Sequence, residues 1–275
     1  LLLENVVEGQ AKLIAKWMSV GFIHGVMNTD NTSISCETID YGPCAFMDSY
    51  QEKKVFSSID QFGRYSFSNQ PLVGPWNLSR FAETILFLLS DDQDKSIKIA
   101  EEILLNFEKI FNSTLNEITS KKLGLPYASA HSEKLYNKLL VLMESGQADF
   151  TLSLRSLESV VQKSNQNHLV KNFVFTDTEQ KVQLNNWLTD WQKLLEREEA
   201  DKENAIVRLK SNNPIFIPRN HMIEKVIIEA SSGNFDKFNQ MATVLKEPFI
   251  QNTKFVDFYQ APKKEELVHQ TFCGT

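Results

Sequence analysis

Apolar residues recur at three- and four-residue steps along most of the chain. Leu3, Val7, Gln10, Ile14 and Trp17 fall on one face and predict a helix over residues 1–20, ended by Gly21. Over residues 21–48 the helical period is lost. Ile34, Cys36 and Ile39 read instead as a short buried hairpin between two polar clusters, and residues 49–68 read as a loop. The breakers Asn69-Gln70-Pro71 and Gly74-Pro75 then precede a new helix from Trp76. Beyond it the pattern is almost wholly helical. Leu78, Phe81, Ile85 and Leu88 mark one stripe; Ile97, Ala100, Leu104, Phe107 and Phe111 mark the inner face of a second helix, with Asp94 as its N-cap. Leu135, Leu139 and Leu142 form a third stripe, closed by Gly146, and Leu154, Leu157 and Val160 a fourth. Residues 164–177 are polar and read as a loop. Leu184, Trp187, Trp191 and Leu194 share one face of a long helix, with residues 196–203 as a solvated face. Asn212-Asn213-Pro214 stops the next helix. Two more follow, one carrying Val226, Ile227 and Ala230, the other Phe235, Phe238, Met241 and Leu245 behind Asn234. The tail from Pro248 lacks periodicity and is expected to lie over the surface.

Composition narrows the function classes. At 275 residues the chain can bury a full core in one or two domains. A net charge of −6, with no Lys/Arg-rich stripe in the sequence, argues against a nucleic-acid partner. The longest apolar run, Ile85 to Leu89, is too short to span a bilayer, so no membrane partner is expected. The opening residues read as an acidic amphipathic helix rather than a signal peptide, and no initiator Met precedes them. The expected compartment is the cytoplasm of a bacterium, or the mitochondrion if the source is eukaryotic. Cys36, Cys44 and Cys273 show no metal-ligand spacing; Cys36 and Cys44 are expected to be buried, reduced thiols.

The candidate chemistry sits where the helical period fails. Asn28-Thr29-Asp30-Asn31 and Asp40-Tyr41-Gly42 are the two polar clusters, and a hairpin between them would present Asp30, Asn31 and Asp40 at one end. Carboxylate and amide oxygens, completed by substrate phosphates, suit a hard cation such as Mg²⁺. The spacing is that of a protein-kinase catalytic loop followed by its D-F-G motif. His24 stands in the His place, Asn31, seven residues later, in the Asn place, and Asp40-Tyr41-Gly42 in the D-F-G place. In kinases that Asn and Asp hold the metal ions on the nucleotide. Val26 occupies the place of the catalytic Asp and cannot accept a proton, which leaves Asp30 as the nearest substitute. His24, between Ile23 and Gly25, reads as a buried brace for the loop. Arg64 either pairs with a carboxylate near the site or braces its own loop.

Longer motifs carry a resemblance. HGVMNTDN, TIDYGP, SSIDQFGRYSFSNQP, WNLSRFAE, NPIFIPRNH and the terminal TFCGT are similar to the selenoprotein O family, whose kinase-fold members transfer AMP. The resemblance runs over the whole chain and covers the C-terminal part of such a protein. It implies ATP bound in a reversed orientation, Mg²⁺ (or Mn²⁺) as cofactor, and AMP joined to Ser, Thr or Tyr hydroxyls of protein substrates as pyrophosphate leaves. Residue by residue, it implies Asp30 as proton acceptor, Asn31 as a magnesium ligand, and Asp40 as a ligand of both magnesium and ATP. Cys273 stands where the family carries a selenocysteine or cysteine, and is a candidate redox handle.

No G-x-G-x-x-G run and no V-A-I-K strand occurs in the sequence, parts that a kinase carries in its N-lobe. The expected fold is therefore mainly α: a kinase-like C-lobe with a small β-hairpin at the metal site, then a large helical extension, the N-lobe being absent. Residues 1–75 would form the C-lobe core, 76–247 its helical continuation and extension, and 248–275 an irregular tail. The missing N-lobe would be a partner of this chain, which alone would be inactive. Two rival functions remain at this point, a phosphotransferase and an inactive scaffold of the same fold.

Overall fold

Gly21 explains why the first helix stops. It adopts φ 72°, and its N–H closes on the carbonyls of Met18 and Trp17, so α1 spans Leu2–Val20. The computed structural model describes residues 1–163, 166–198 and 201–272. The chain divides into two compact units. The first comprises Leu1–Cys44, Glu52–Leu115 and the C-terminal residues from Gln270; the second comprises Ala45–Gln51 and the rest.

In the first unit α1 packs on α2, Gln70–Thr84. The contact is close because of Gly74. A Cβ there would stand 2.7 Å from Ile14 Cδ1 and 2.9 Å from Phe107 Cζ. The helix thus begins six residues before Trp76 and runs through both expected breakers. Pro71 lies in the first turn, where an N–H has no intrahelical acceptor. Pro75 forfeits only a bond to that same first turn. α3 spans Gln93–Lys122, and the division between the units falls within it. Its cap is Asp92 rather than Asp94: Asp92 Oδ1 accepts the Lys95 N–H at 2.9 Å. Ala100, Phe107 and Phe111 are buried as the stripe requires, while Ile97 stays exposed. β1, Phe22–Ile23, follows α1.

The expected hairpin between the polar clusters does not form. Residues 32–44 contain no strand, and Ile34 is 60% exposed. This stretch is held by side-chain contacts rather than by a ladder, as described below. Cys36 and Cys44 are half-buried rather than buried.

The second unit holds the short strand β2, Ala45–Phe46, the end of α3 and, among the described residues, seven further α-helices: α4 (Ala130–Ser145), α5 (Phe150–Lys163), α6 (Asn167–Val170), α7 (Thr178–Arg197), α8 (Lys202–Asn212), α9 (Asn220–Ser231) and α10 (Asp236–Lys246). α4 packs on α7, and Leu135, Leu139 and Leu142 of the one and Leu184, Trp187 and Trp191 of the other are buried. Both indoles satisfy their N–H inside the core, Trp187 on the Leu135 carbonyl and Trp191 on the Leu123 carbonyl, each at 2.8 Å. α6 falls where a loop was expected, in a stretch that also carries the buried apolar residues Leu169 and Phe173. The charged run at 196–203 lies partly outside the described residues; α7 ends at Arg197 and Asp201 caps α8. The tail is not wholly superficial, since Phe258 joins Ile215, Phe216, Met222 and Val226 in a core cluster.

One ionic cluster fixes this unit. Arg219 is fully buried, and its guanidinium donates to Asp48 Oδ1 at 2.5 Å, to Asp149 Oδ2 at 2.8 Å and to Asp149 Oδ1 at 3.2 Å. It ties the Ala45–Gln51 segment to the starts of α5 and α9.

Candidate active site

The site is assembled on three residues, His24-Gly25-Val26. Gly25 has φ 82°, and a Cβ on it would stand 2.9 Å from the Pro43 carbonyl oxygen. Only glycine lets the two segments approach so closely. His24 is 1% exposed, and its backbone N–H and both ring nitrogens are committed. Its backbone N–H donates to Gln70 Oε1 at 3.0 Å, Nε2 meets the Ile39 carbonyl at 2.8 Å, and Nδ1 accepts the Val26 N–H at 3.3 Å. These partners fix the tautomer with the proton on Nε2. Burial lowers the His24 pKa; the Ile39 carbonyl and the Asp40 charge oppose this less strongly. The ring is a neutral brace, with no nitrogen left for a metal or a substrate proton.

Both polar clusters hang from this brace. Asn31 lies in a 3-10 turn, Thr29–Asn31, and its Nδ2 donates to the Val26 carbonyl at 3.1 Å. Its amide oxygen is thereby left without a protein donor among the described residues. Asp40 directly follows Ile39, whose carbonyl His24 holds. It adopts φ 53°, and its Oδ1 accepts the Gly42 N–H at 3.3 Å, leaving the second carboxylate oxygen unengaged among the described residues. Asp30 is exposed and its carboxylate has no hydrogen-bond or ion-pair partner among them. The three residues therefore offer hard oxygen atoms that form no ion pair among the described residues.

Other side chains hold the stretch in place, and sequence reasoning missed them. Asn77 Nδ2 donates to the Met27 carbonyl and to Thr32 Oγ1, both at 2.9 Å. Gln70 Nε2 donates to the Phe22 carbonyl at 3.0 Å. Gln70 and Asn77 are seven residues apart on the inward face of α2, with Gly74 between them. Polar residues on an apolar helix face were the available signal. The Tyr65 hydroxyl donates to Asn28 Oδ1, and Trp17 Nε1 donates to Thr38 Oγ1 at 2.9 Å. Thr271 reaches the same region: its N–H donates to the Phe56 carbonyl at 2.8 Å, and its hydroxyl donates to the Pro43 carbonyl. Arg64 pairs with no carboxylate among the described residues; it lies over the Trp76 ring at 4.7 Å. Beside the 3-10 turn, Thr29, Thr32, Asn77, Arg80 and Phe81 line a cavity of about 280 Å³.

The donor set suits a shared metal better than a self-contained one. No group of three His, Cys, Asp or Glu among the described residues could hold an ion by itself. One amide and one or two carboxylates do suit Mg²⁺, which keeps waters and takes further ligands from substrate phosphates. The nearby thiols add no chemistry. Burial, with the Asp40 charge, pushes the Cys44 thiol up to about 11, and burial raises Cys36 as well, so both stay protonated and unreactive near neutrality. Cys273 lies outside the described residues.

Comparison with known proteins agrees with the motifs. A family model described as "Protein adenylyltransferase SelO" matches residues 1–246. The chain is 44% identical over 272 residues to "Protein nucleotidyltransferase YdiU" of Nitrobacter hamburgensis, covering 99% of this chain and 53% of that protein. The protein of the same name from Rhodopseudomonas palustris strain HaA2 is 43% identical over 275 residues, covering 100% and 55%. That of Brevibacillus brevis is 42% identical over 276 residues, covering 100% and 54%. The chain thus spans about half the length of the curated relatives it matches.

Proposed function

Since the chain belongs to the protein adenylyltransferase SelO family, we propose that it carries the metal-ligand and proton-acceptor half of an enzyme that transfers AMP from ATP to Ser, Thr or Tyr hydroxyls of proteins. One observation carries this reading. Asp30, Asn31 and Asp40 present unpartnered oxygen atoms from segments tied to one tripeptide, while the kinase base position is the inert Val26. Asn31 and Asp40 would hold Mg²⁺, with the remaining ligands coming from water and the polyphosphate. Bound there, the ion would neutralise charge on the phosphates. Asp30 would take the proton from the acceptor hydroxyl as its oxygen attacks the α-phosphorus. The new bond is oxygen to α-phosphorus; the bond broken joins that phosphorus to the bridging oxygen, and pyrophosphate leaves with the electron pair. Most of the rate in such a transfer comes from positioning and charge neutralisation, which suits a site whose own base is a single exposed carboxylate.

The glycine-rich loop and lysine that grip the polyphosphate in kinases have no counterpart in these 275 residues. We assign that role to a further lobe of the full-length protein and expect this chain alone to transfer nothing. Intact-mass measurement of an acceptor protein incubated with full-length enzyme, ATP and Mg²⁺ tests the reading. A gain of one AMP per modified hydroxyl is expected. A gain of one phosphate would assign a kinase instead, and no gain on any acceptor, the enzyme itself included, would favour the scaffold.

A further inference from the structure

α4 and α7 carry matching rows of side chains along their shared groove. The row on α4 is His131, Lys134 and Lys138; the row on α7 is Asp190, Lys193 and Arg197. Steps of three and four residues keep each row on one helix face. With Leu135 and Leu194 as an apolar floor, the two rows line an open cavity of about 400 Å³. Four exposed cations thus converge on one groove in a chain of net charge −6. Lys134 with Lys138, and Lys193 with Arg197, are like charges at i,i+4, which oppose helix formation. Neutralisation is partial: Lys138 meets Asp190 at 3.4 Å and Arg197 meets Glu198 at 3.2 Å, pairs in which the cations stay about half exposed. Lys134 and Lys193 have no carboxylate partner among the described residues. No basic run betrays the cluster in sequence, because its halves lie about sixty residues apart on two helices.

We propose that this groove docks an acidic segment of a partner protein, whose carboxylates pair with Lys134 and Lys193 while its backbone lies along Leu135 and Leu194. The form of the cluster favours an extended ligand over a single small anion. Each row runs along about 10 Å of helix, its cations are exposed, and among the described residues no buried donor lines the groove with them. The groove uses none of the residues of the candidate active site.

Fluorescein-labelled hexaglutamate, titrated with the 275-residue chain and followed by anisotropy, is the test. Saturable binding that weakens as salt is raised is expected. The double variant Lys134→Glu/Lys193→Glu should weaken it at least about tenfold. Lys202→Glu/Lys246→Glu, an equal change of charge elsewhere on the same unit, should leave the groove-specific binding largely intact. Zero-length carbodiimide coupling to the unmutated chain should place the peptide on Lys134 and Lys193. The proposal is overturned by absence of binding, by equal losses in the two double variants, or by coupling spread evenly over the lysines. Full displacement of the peptide by inorganic phosphate at matched ionic strength would also overturn it, making the groove a single-anion site.

Discussion

Asp40 holds a left-handed backbone conformation, φ 53°, that glycine would occupy without cost. Such strain amounts to roughly 1 kcal/mol or more and persists where the surroundings impose it. Here His24 imposes it by gripping Ile39. On the proposed role of the carboxylate, Asp40→Gly in the full-length protein should abolish AMP transfer while leaving the thermal midpoint near that of the wild type. Asn31→Ala should reduce transfer greatly. Asp30→Ala should keep nucleotide affinity and slow turnover by about 10²–10⁴-fold; lost affinity with an unchanged rate at saturation would make it a ligand instead. Arg219 is the opposite case. It lies outside the proposed chemistry, yet Arg219→Met leaves Asp48 and Asp149 as buried carboxylates without their cation, at a cost of about 3–5 kcal/mol. Urea unfolding would show the loss. The proposed metal-side residues could be singled out in sequence because they lie in one short stretch with fixed spacing. Gln70, Asn77 and Thr271 were not, because they reach that stretch from distant positions, and residue type alone does not reveal which buried amide faces which carbonyl.

At the scale of elements, the helical stripes were legible wherever burial and period agreed, as on α1, α4, α5 and α7. They failed where another term outweighed the pattern. α2 absorbs two prolines because both act on its first turns, and the close contact at Gly74 holds it against α1. The stretch between the polar clusters alternates apolar residues yet forms no strand, since Trp17, His24 and Gln10 anchor it by side-chain hydrogen bonds instead. The end of α3 carries a pH dependence. Lys122 is wholly buried; its Nζ donates to the Asn212 carbonyl at 2.9 Å and to Asn213 Oδ1 at 3.1 Å, without a carboxylate. Burial lowers its pKa to about 7 from 10.5. Between those values the unfolded chain binds the proton and the folded chain does not, so stability rises with pH across that window. Below it both states are protonated and the folded state bears the burial cost in full. Over the window the unfolding free energy of the wild type should climb more steeply than that of Lys122→Met, by up to about 1.4 kcal/mol per pH unit. Parallel curves would show that Lys122 is charged in the fold.

The whole molecule is two helical units, and every residue of the candidate active site belongs to the first of them. Among the described residues no helix is long and apolar enough to cross a membrane. The second unit contributes a different surface, the cationic groove between α4 and α7. The expectation of a mainly helical chain holds, with strand confined to two-residue segments among the described residues. Titration of ATP into this chain alone should give no micromolar binding by calorimetry, because the proposed site supplies metal ligands but no cationic grip on the phosphates. The central claim, that the site moves AMP with the help of Asp40, is tested most directly in the full-length protein with ATP labelled separately at the α and γ positions. Wild type is expected to incorporate the α label into protein in a Mg²⁺-dependent manner, and Asp40→Ala to incorporate none. Incorporation of the γ label by the wild type, or undiminished α label in Asp40→Ala, would contradict it.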